Sequence, residues 1–438
     1  ERGSMAEQRK LDEVVFREDL YPRLAKDPVK VQQYAEDLDV LPPIEVNQRN
    51  ELIDGWHRWT AHKKMNAETV AVIVTQTTSD AHLLELAIER NAAHGLQLNR
   101  EEKQAMARRI YHVTPESERT EKKRQLAKIL SVSVSSVQGW LSRIDKDAKD
   151  ARDKRIFSKW LACWTQDEIA ESEGMTHGPV TAILSDFPIL ENQTKSAQTL
   201  ATYSEPDWTP PIYNVWKQQT KTPGVDHFGN SEVRLLDNLL YLYTDPFDVI
   251  VDPFAGSGST IDLCKRRSRR YFASDRKPIV ERKDDIRQHD LIVTEGIIKL
   301  PEVPRWMDVS LVYLDPPYWK QAEGQYSKDA TDLANMPLDG FNAALAGIIK
   351  AFAAKLKASA RTKPAYIALI IQPTQWKADS RQFTDHVGDM LRMVKLPVNM
   401  RYSVPYESQQ CTPQMVTWAK DTKHCLVLTR EIVVWEIV

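Results

Sequence analysis

The C-terminal half of this chain predicts an α/β domain built on a mostly parallel sheet, preceded by an α+β region and then a helical region. Two observations predict it. Twice, at Asp248-Val249-Ile250-Val251 and Val309-Ser310-Leu311-Val312-Tyr313-Leu314, a buried-type strand run ends directly in a turn rich in glycine or proline. The first turn is followed by a helix and another strand, the rhythm of a doubly wound sheet.

Across 438 residues, hydrophobic residues make up 42% and charged residues 27%, ordinary values for a globular chain with two to four domains. No run of about 18 apolar residues appears, so no membrane span is expected. Glu1 to Ser4 ahead of Met5 reads as a tag remnant. Cys163, Cys264, Cys411 and Cys425 are scattered, with no CxxC pair or metal-ligand spacing. A reducing compartment is expected, and no metal. The formal net charge of −2 conceals a local bias, because 16 Lys or Arg face 9 Asp or Glu between Arg100 and Lys159. A basic middle in a near-neutral chain points to a polyanionic partner.

Texture divides the chain at about 5–98, 99–190, 191–204 and 205–438. The first part mixes helix with short strands such as Val70-Ala71-Val72-Ile73-Val74. The second has helical periodicity and little proline. Asn192 to Thr199 is polar and reads as a linker.

The strand at 248–251 runs into Asp252-Pro253-Phe254-Ala255-Gly256-Ser257-Gly258, and Ile261 to Arg267 reads as a helix. Gly256 and Gly258 let backbone approach a ligand closely, and the helix start presents free N–H groups. In a doubly wound sheet this is the cofactor position. Arg270 to Asp275 reads as the next strand, and Asp275 at its end suits ribose hydroxyls. Asp315-Pro316-Pro317-Tyr318 follows the strand at 309–314. Two prolines make that loop rigid. A carboxylate and prolyl carbonyls there can accept both N–H bonds of an exocyclic amine, while Tyr318 stacks on a base drawn out of a duplex.

These two motifs resemble those of the amino-methyltransferases of DNA. The resemblance covers about 205–438 and implies a Rossmann-like methyltransferase domain with a seven-stranded, mostly parallel sheet. It implies S-adenosylmethionine as cofactor and double-stranded DNA as partner. By the same resemblance Tyr213 to Trp216 and His227 to Asn230, with Leu235 to Leu240 after them, form an upstream cofactor segment that brings Trp216 and Asn230 to the site. Asp at the first position of the catalytic motif leans toward adenine N6 in that family, and Ser toward cytosine N4. Cys425 to Thr429 and Ile432 to Trp435 suit its closing antiparallel strand pair. The insertion from Trp319 to Leu338, with Lys320, Gln321, Gln325, Tyr326 and Lys328, suits either a lid or a nucleic-acid contact. Glu295-Gly296 is expected near the cofactor adenine.

Upstream, a short strand at Glu51 to Ile53 precedes Asp54-Gly55-Trp56-His57-Arg58 and a helix from Trp59 to Met65. This resembles the N-terminal domain of ParB-like partition proteins and sulfiredoxins, which implies phosphate binding by Gly55 and Arg58. A structural turn with Arg58 in a local ion pair is the plainer reading. A helix-turn-helix fits 121–144. Its first helix is Arg124 to Leu130, its turn Ser131 to Val134 and its recognition helix Ser135 to Arg143. Ser135, Ser136, Gln138 and Arg143 are its candidate DNA contacts. A second fits Thr165 to Ala170, then a Gly174 turn, then His177 to Leu184, with Thr176 and His177 as contacts.

The expectation is thus a site-specific DNA methyltransferase of a bacterium or phage, cytoplasmic and nucleoid-associated, with homodimerisation left open. The alternatives are a cytosine-N4 enzyme, a ParB-like DNA-binding regulator with an inactive methyltransferase domain, and an RNA methyltransferase.

Overall fold

Turn formers and β-branched runs punctuate the chain where the sequence places them. The computed structural model describes residues 6–93, 98–186, 210–217, 233–294, 296–320, 323–324, 327–375, 383–405 and 412–438. The 192–199 linker, His227 to Asn230, Glu295, Gln321, Gln325, Tyr326 and Cys411 lie outside them. The chain divides into two compact units, 1–152 and 153–438.

In the first unit, strands β1 (Glu7–Lys10), β2 (Ile44–Val46), β3 (Leu52–Asp54) and β4 (Thr69–Val74) form a sheet of order β1-β4-β2-β3. Helix α1 (Pro28–Glu36) starts where Asp27 accepts from the Val29 and Lys30 N–H groups. Helix α2 (Trp56–Lys64) begins at Gly55, whose φ is +100°. Ile44, Val46, Trp56, Trp59, Val70 and Val72 close the core on the sheet, and Phe16 stacks on Trp56 at 4.7 Å. Helices α3 (Asp80–Ala93), α4 (Arg100–His112), α5 (Arg119–Ile129) and the start of α6 (Val134–Leu161) share a second core that includes Ile88, Met106, Tyr111, Leu126, Val137 and Leu141. A capping box between Asn99 and Glu102 opens α4.

The recognition helix expected to end at Arg143 continues to Leu161. Between them lies no proline or glycine, so nothing stops propagation until Cys163, which takes φ +57°. The unit boundary falls inside this helix.

In the second unit, α7 (Gln166–Ser172) and α8 (His177–Asp186) coincide with the second helix-turn-helix candidate. Their Ile169, Ala170, Val180 and Leu184 join a core with the leucines of α9 (Val233–Tyr243). That core covers one face of a seven-stranded mixed sheet. Five strands are mutually parallel: β5 (Val249–Asp252), β6 (Arg270–Asp275), β7 (Ile286–Gln288), β10 (Val309–Leu314) and β11 (Ala365–Ile371). The short pairs β8 (Ile292–Thr294) with β9 (Ile297–Ile298), and β12 (Thr374–Gln375) with β13 (Phe383–Thr384), lie outside this sheet. The order is β14-β15-β11-β10-β5-β6-β7, with β14 (Val398–Pro405) and β15 (Thr429–Ile437) at one end.

Helix α10 (Ser259–Arg266) follows β5. Helices α11 (Leu338–Ala358) and α12 (His386–Val394) pack on the opposite face, and α13 (Pro413–Thr422) precedes β15. Both faces are covered, so strand residues alternate between two apolar cores. Val249 and Val251 face one and Ile250 the other, and Leu311 and Tyr313 oppose Val312 and Leu314. A buried Asp237–Arg267 pair at 2.7 Å ties α9 to the end of α10.

The closing strand pair differs from the expected one. It is β14 with β15, and Cys425 to Leu428 form no strand. β14 escaped the hydrophobic pattern because it is an edge, and Val398, Asn399, Met400 and Arg401 are exposed on it.

Candidate functional site

From β5 the chain steps outward to β6 and β7, then returns to β10 on the other side of β5. Order reverses between β5 and β10, and a crevice opens at the carboxyl ends of strands at such a switch point. The two motifs leave their strands there, 252–258 after β5 and 315–318 after β10.

The first motif folds into a tight turn with φ +49° at Gly256 and +81° at Gly258, and Gly258 caps α10. A Cβ at Gly258 would lie 3.2 Å from Ile261 Cδ1. Asp275, at the end of β6, accepts from Gly256 N at 3.0 Å and from Lys277 N at 2.8 Å. Pro253, Ala255 and Ser257 are buried, and Phe254 is half-buried. The Asp252 carboxyl is 2% exposed and accepts from Phe254 N at 3.0 Å. Burial pushes it up to about 7, and the nearby charges of Asp315 and Asp275 push the same way against a Thr260 hydrogen bond.

In the second motif, Pro316 is buried while Asp315, Pro317 and Tyr318 are partly exposed. Tyr318 Oη donates to Asp315 Oδ1 at 3.2 Å. The loop is held from behind. Trp319 Nε1 donates to the Met336 carbonyl at 2.9 Å, and Thr374 Oγ1 donates to the Trp319 carbonyl at 3.4 Å. His386 Nε2 lies 3.0 Å from Thr374 Oγ1. Burial pushes His386 down to about 4, so the ring is neutral beside the Thr374 hydroxyl.

Other predicted residues are distributed differently. Trp216 is 2% exposed and stacks on Tyr402 at 3.9 Å, a place in the core. Asn230 lies outside the described residues. Gly296 is exposed at φ +79°. Within the insertion, Lys320 pairs with Glu323 at 2.6 Å, Lys328 is exposed, and Leu333, Ala334 and Met336 enter the core. Arg58 donates to the carbonyls of Pro42 (3.0 Å) and Pro43 (2.7 Å) and pairs with Asp54 at 2.8 Å. A Cβ at Gly55 would strike Ile44 Cγ2 at 2.7 Å. Both residues therefore build the turn itself.

In the first unit, Ser133 Oγ accepts from Ser136 N at 3.1 Å and caps the start of α6. Ser135, Gln138 and Arg143 are exposed, the Arg143 side chain by 92%. Ser135 and Ser136 share a groove of about 690 Å³ with Arg100, Lys103 and Arg108. Thr176 and His177, in the second unit, are exposed at the start of α8.

Residues 66–281 match the N6/N4 methylase family, described as DNA methylase. This stretch is similar to that family. The matched span takes in the glycine turn and Asp275 and ends before Asp315. Among curated proteins there is no match. Solved structures show similarity, three of which follow. One is a pNOB8-like ParB N-domain, at 16% identity and TM-score 0.26, covering 32% of this chain and 64% of that one. The chain thus spans less than two thirds of that protein. A second form of the pNOB8-like ParB N-domain gives 15% identity and TM-score 0.27, covering 43% and 85%. The third is a C-terminally truncated chromosome-partitioning ParB from Caulobacter crescentus complexed to the centromeric parS site. It gives 20% identity and TM-score 0.24, covering 40% and 83%.

Two features of the second unit were not read from the sequence, the protonatable Asp252 and the buried Arg430. A charged residue at the start of the strand that holds the apolar run from Ile432 to Trp435 is the signal that marks Arg430. Asp252 carries no local signal, because its environment is made by distant strands.

Proposed function

We propose that this chain transfers a methyl group from S-adenosylmethionine to the exocyclic amine of a base in duplex DNA, with adenine N6 as target. One observation carries the reading: the glycine turn and the Asp-Pro-Pro-Tyr loop leave adjacent strands on the carboxyl edge of the sheet, at its switch point.

The residues present fit the cofactor. A turn with two glycines at positive φ admits a ligand against backbone, and Asp275 suits ribose hydroxyls. Asp275 and Asp315 lie near enough for their charges to act on Asp252, a cluster that favours a cationic ligand. S-adenosylmethionine, when bound, supplies a methyl group on a positive sulfonium.

The chain's own residues do the rest. Asp315 accepts an N–H of the amine, which turns the nitrogen lone pair toward the cofactor side of the crevice. Tyr318 stacks on a base removed from the duplex. Pro316 and Pro317 fix the loop, so no reorganisation is needed when the base arrives. Duplex affinity comes from the start of α6 and its basic groove, where Arg100, Lys103 and Arg108 meet phosphates.

The test is transfer of label from tritiated S-adenosylmethionine to PCR-amplified, hence unmethylated, genomic DNA and to transcribed RNA. Nucleoside mass spectrometry then identifies the product. N6-methyladenine in DNA is expected, and Asp315→Ala should lower turnover by about 10²–10³-fold with cofactor affinity kept. N4-methylcytosine would overturn the adenine assignment alone. Label in RNA only would overturn duplex DNA as substrate, and no transfer would favour the ParB-like regulator.

A further inference from the structure

Arg430 is the second residue of β15, a strand whose Ile432 to Trp435 lie in the core. β15 runs antiparallel to β11, with Glu431 opposite Ile371 at the carboxyl end of β11. Antiparallel pairing therefore carries the start of β15 to the same edge as the Asp315 loop, more than a hundred residues away in sequence. Arg430 is 8% exposed, and its guanidinium carbon lies 5.5 Å from the centroid of the Tyr318 ring. Tyr318 in turn donates to Asp315. The Arg430 charge also reaches the buried Tyr313 phenol, where it opposes the influence of Asp315 and Asp252. A buried guanidinium is costly to desolvate, and here the aromatic face offsets part of that cost.

We propose that Arg430 is a positioning residue of the amine-methylation site: it backs one face of the Tyr318 ring, leaving the other for the extruded base and keeping the phenol on Asp315. Tyr318 is partly exposed, so a ring held from one side still offers a surface. The role acts through Tyr318, and the assignment rests on the function proposed above. A planar guanidinium suits it, since it stacks on an aromatic face as an ammonium does not.

The test compares Arg430→Met, Arg430→Lys, Tyr318→Leu and the double variant Arg430→Met/Tyr318→Leu in the full chain. Arg430→Met should lower kcat on unmethylated genomic DNA by about tenfold, leaving melting temperature and the Kd for S-adenosylmethionine nearly unchanged. Arg430→Lys should recover part of the loss. The double variant should be no slower than Tyr318→Leu alone, because the two residues act as one unit. Turnover of Arg430→Met within twofold of wild type, or losses that multiply in the double variant, would overturn the proposal. A parallel fall in melting temperature, cofactor affinity and kcat would make Arg430 a fold-stabilising residue and overturn it too. If the wild type methylates no DNA, the proposed function fails, and the same four proteins still read the contact by thermal denaturation. Additive shifts there would refute the Arg430–Tyr318 contact, and coupled shifts would leave it standing.

Discussion

Asp252→Asn should raise stability at alkaline pH while weakening cofactor binding. The wild-type carboxyl is buried and binds its proton up to about pH 7, against 3.8 for an ordinary aspartate. Because the folded state holds this proton more tightly than the unfolded state, stability falls as pH rises from about 4 to about 7 and then levels. About three pKa units correspond to about 4 kcal/mol at pH 8. Asparagine keeps an acceptor for the Phe254 N–H and carries no charge, so it avoids this cost. At about 2–4 °C per kcal/mol, Asp252→Asn should melt roughly 8–16 °C above wild type at pH 8.5 and close to it near pH 4. Cofactor affinity should behave oppositely. In the wild type it should tighten between pH 5.5 and 7.5 as Asp252 ionises toward a cation, and in the variant it should be weaker and flat. Differential scanning calorimetry and titration calorimetry across that range measure both. Parallel melting curves for the two proteins at every pH would refute the reasoning, as would a variant less stable than wild type at pH 8.5.

Two further outcomes follow from the same geometry. Gly256→Val places a β-branched residue at φ +49° and should abolish S-adenosylmethionine binding in titration calorimetry, and wild-type affinity would remove the glycine turn from the cofactor site. Lys103→Glu, in the basic groove, should weaken duplex binding and reduce the slope of log affinity against log salt by roughly one, with kcat at saturating DNA kept; an unchanged slope would move the phosphate contacts elsewhere.

Much of the second unit is legible locally. β6 and β10 fall at Arg270–Asp275 and Val309–Leu314, where β-branched and aromatic runs end in turn residues, because a strand buried on both faces leaves a continuous apolar signature. β14 leaves none, since an edge strand can be polar. Helical pattern likewise does not separate a recognition helix from a packing helix. α7 and α8 have the spacing of a helix-turn-helix, and Ile169, Val180 and Leu184 join the core of the second unit, while Thr176 and His177 remain exposed. Arg58 shows the same ambiguity resolved toward structure, its guanidinium taken up by Pro42, Pro43 and Asp54.

By itself the sequence determined the chemistry on offer: a glycine turn at a helix start, and a carboxylate and a tyrosine on a proline-stiffened loop. These are properties of neighbours along the chain, where backbone freedom and side-chain type act directly. Tertiary structure alone decided that the two motifs leave adjacent strands, that Asp252 holds its proton to neutral pH, and that Arg430 lies over Tyr318. Burial and charge–charge distance arise from packing between segments far apart in sequence, and no local pattern encodes them.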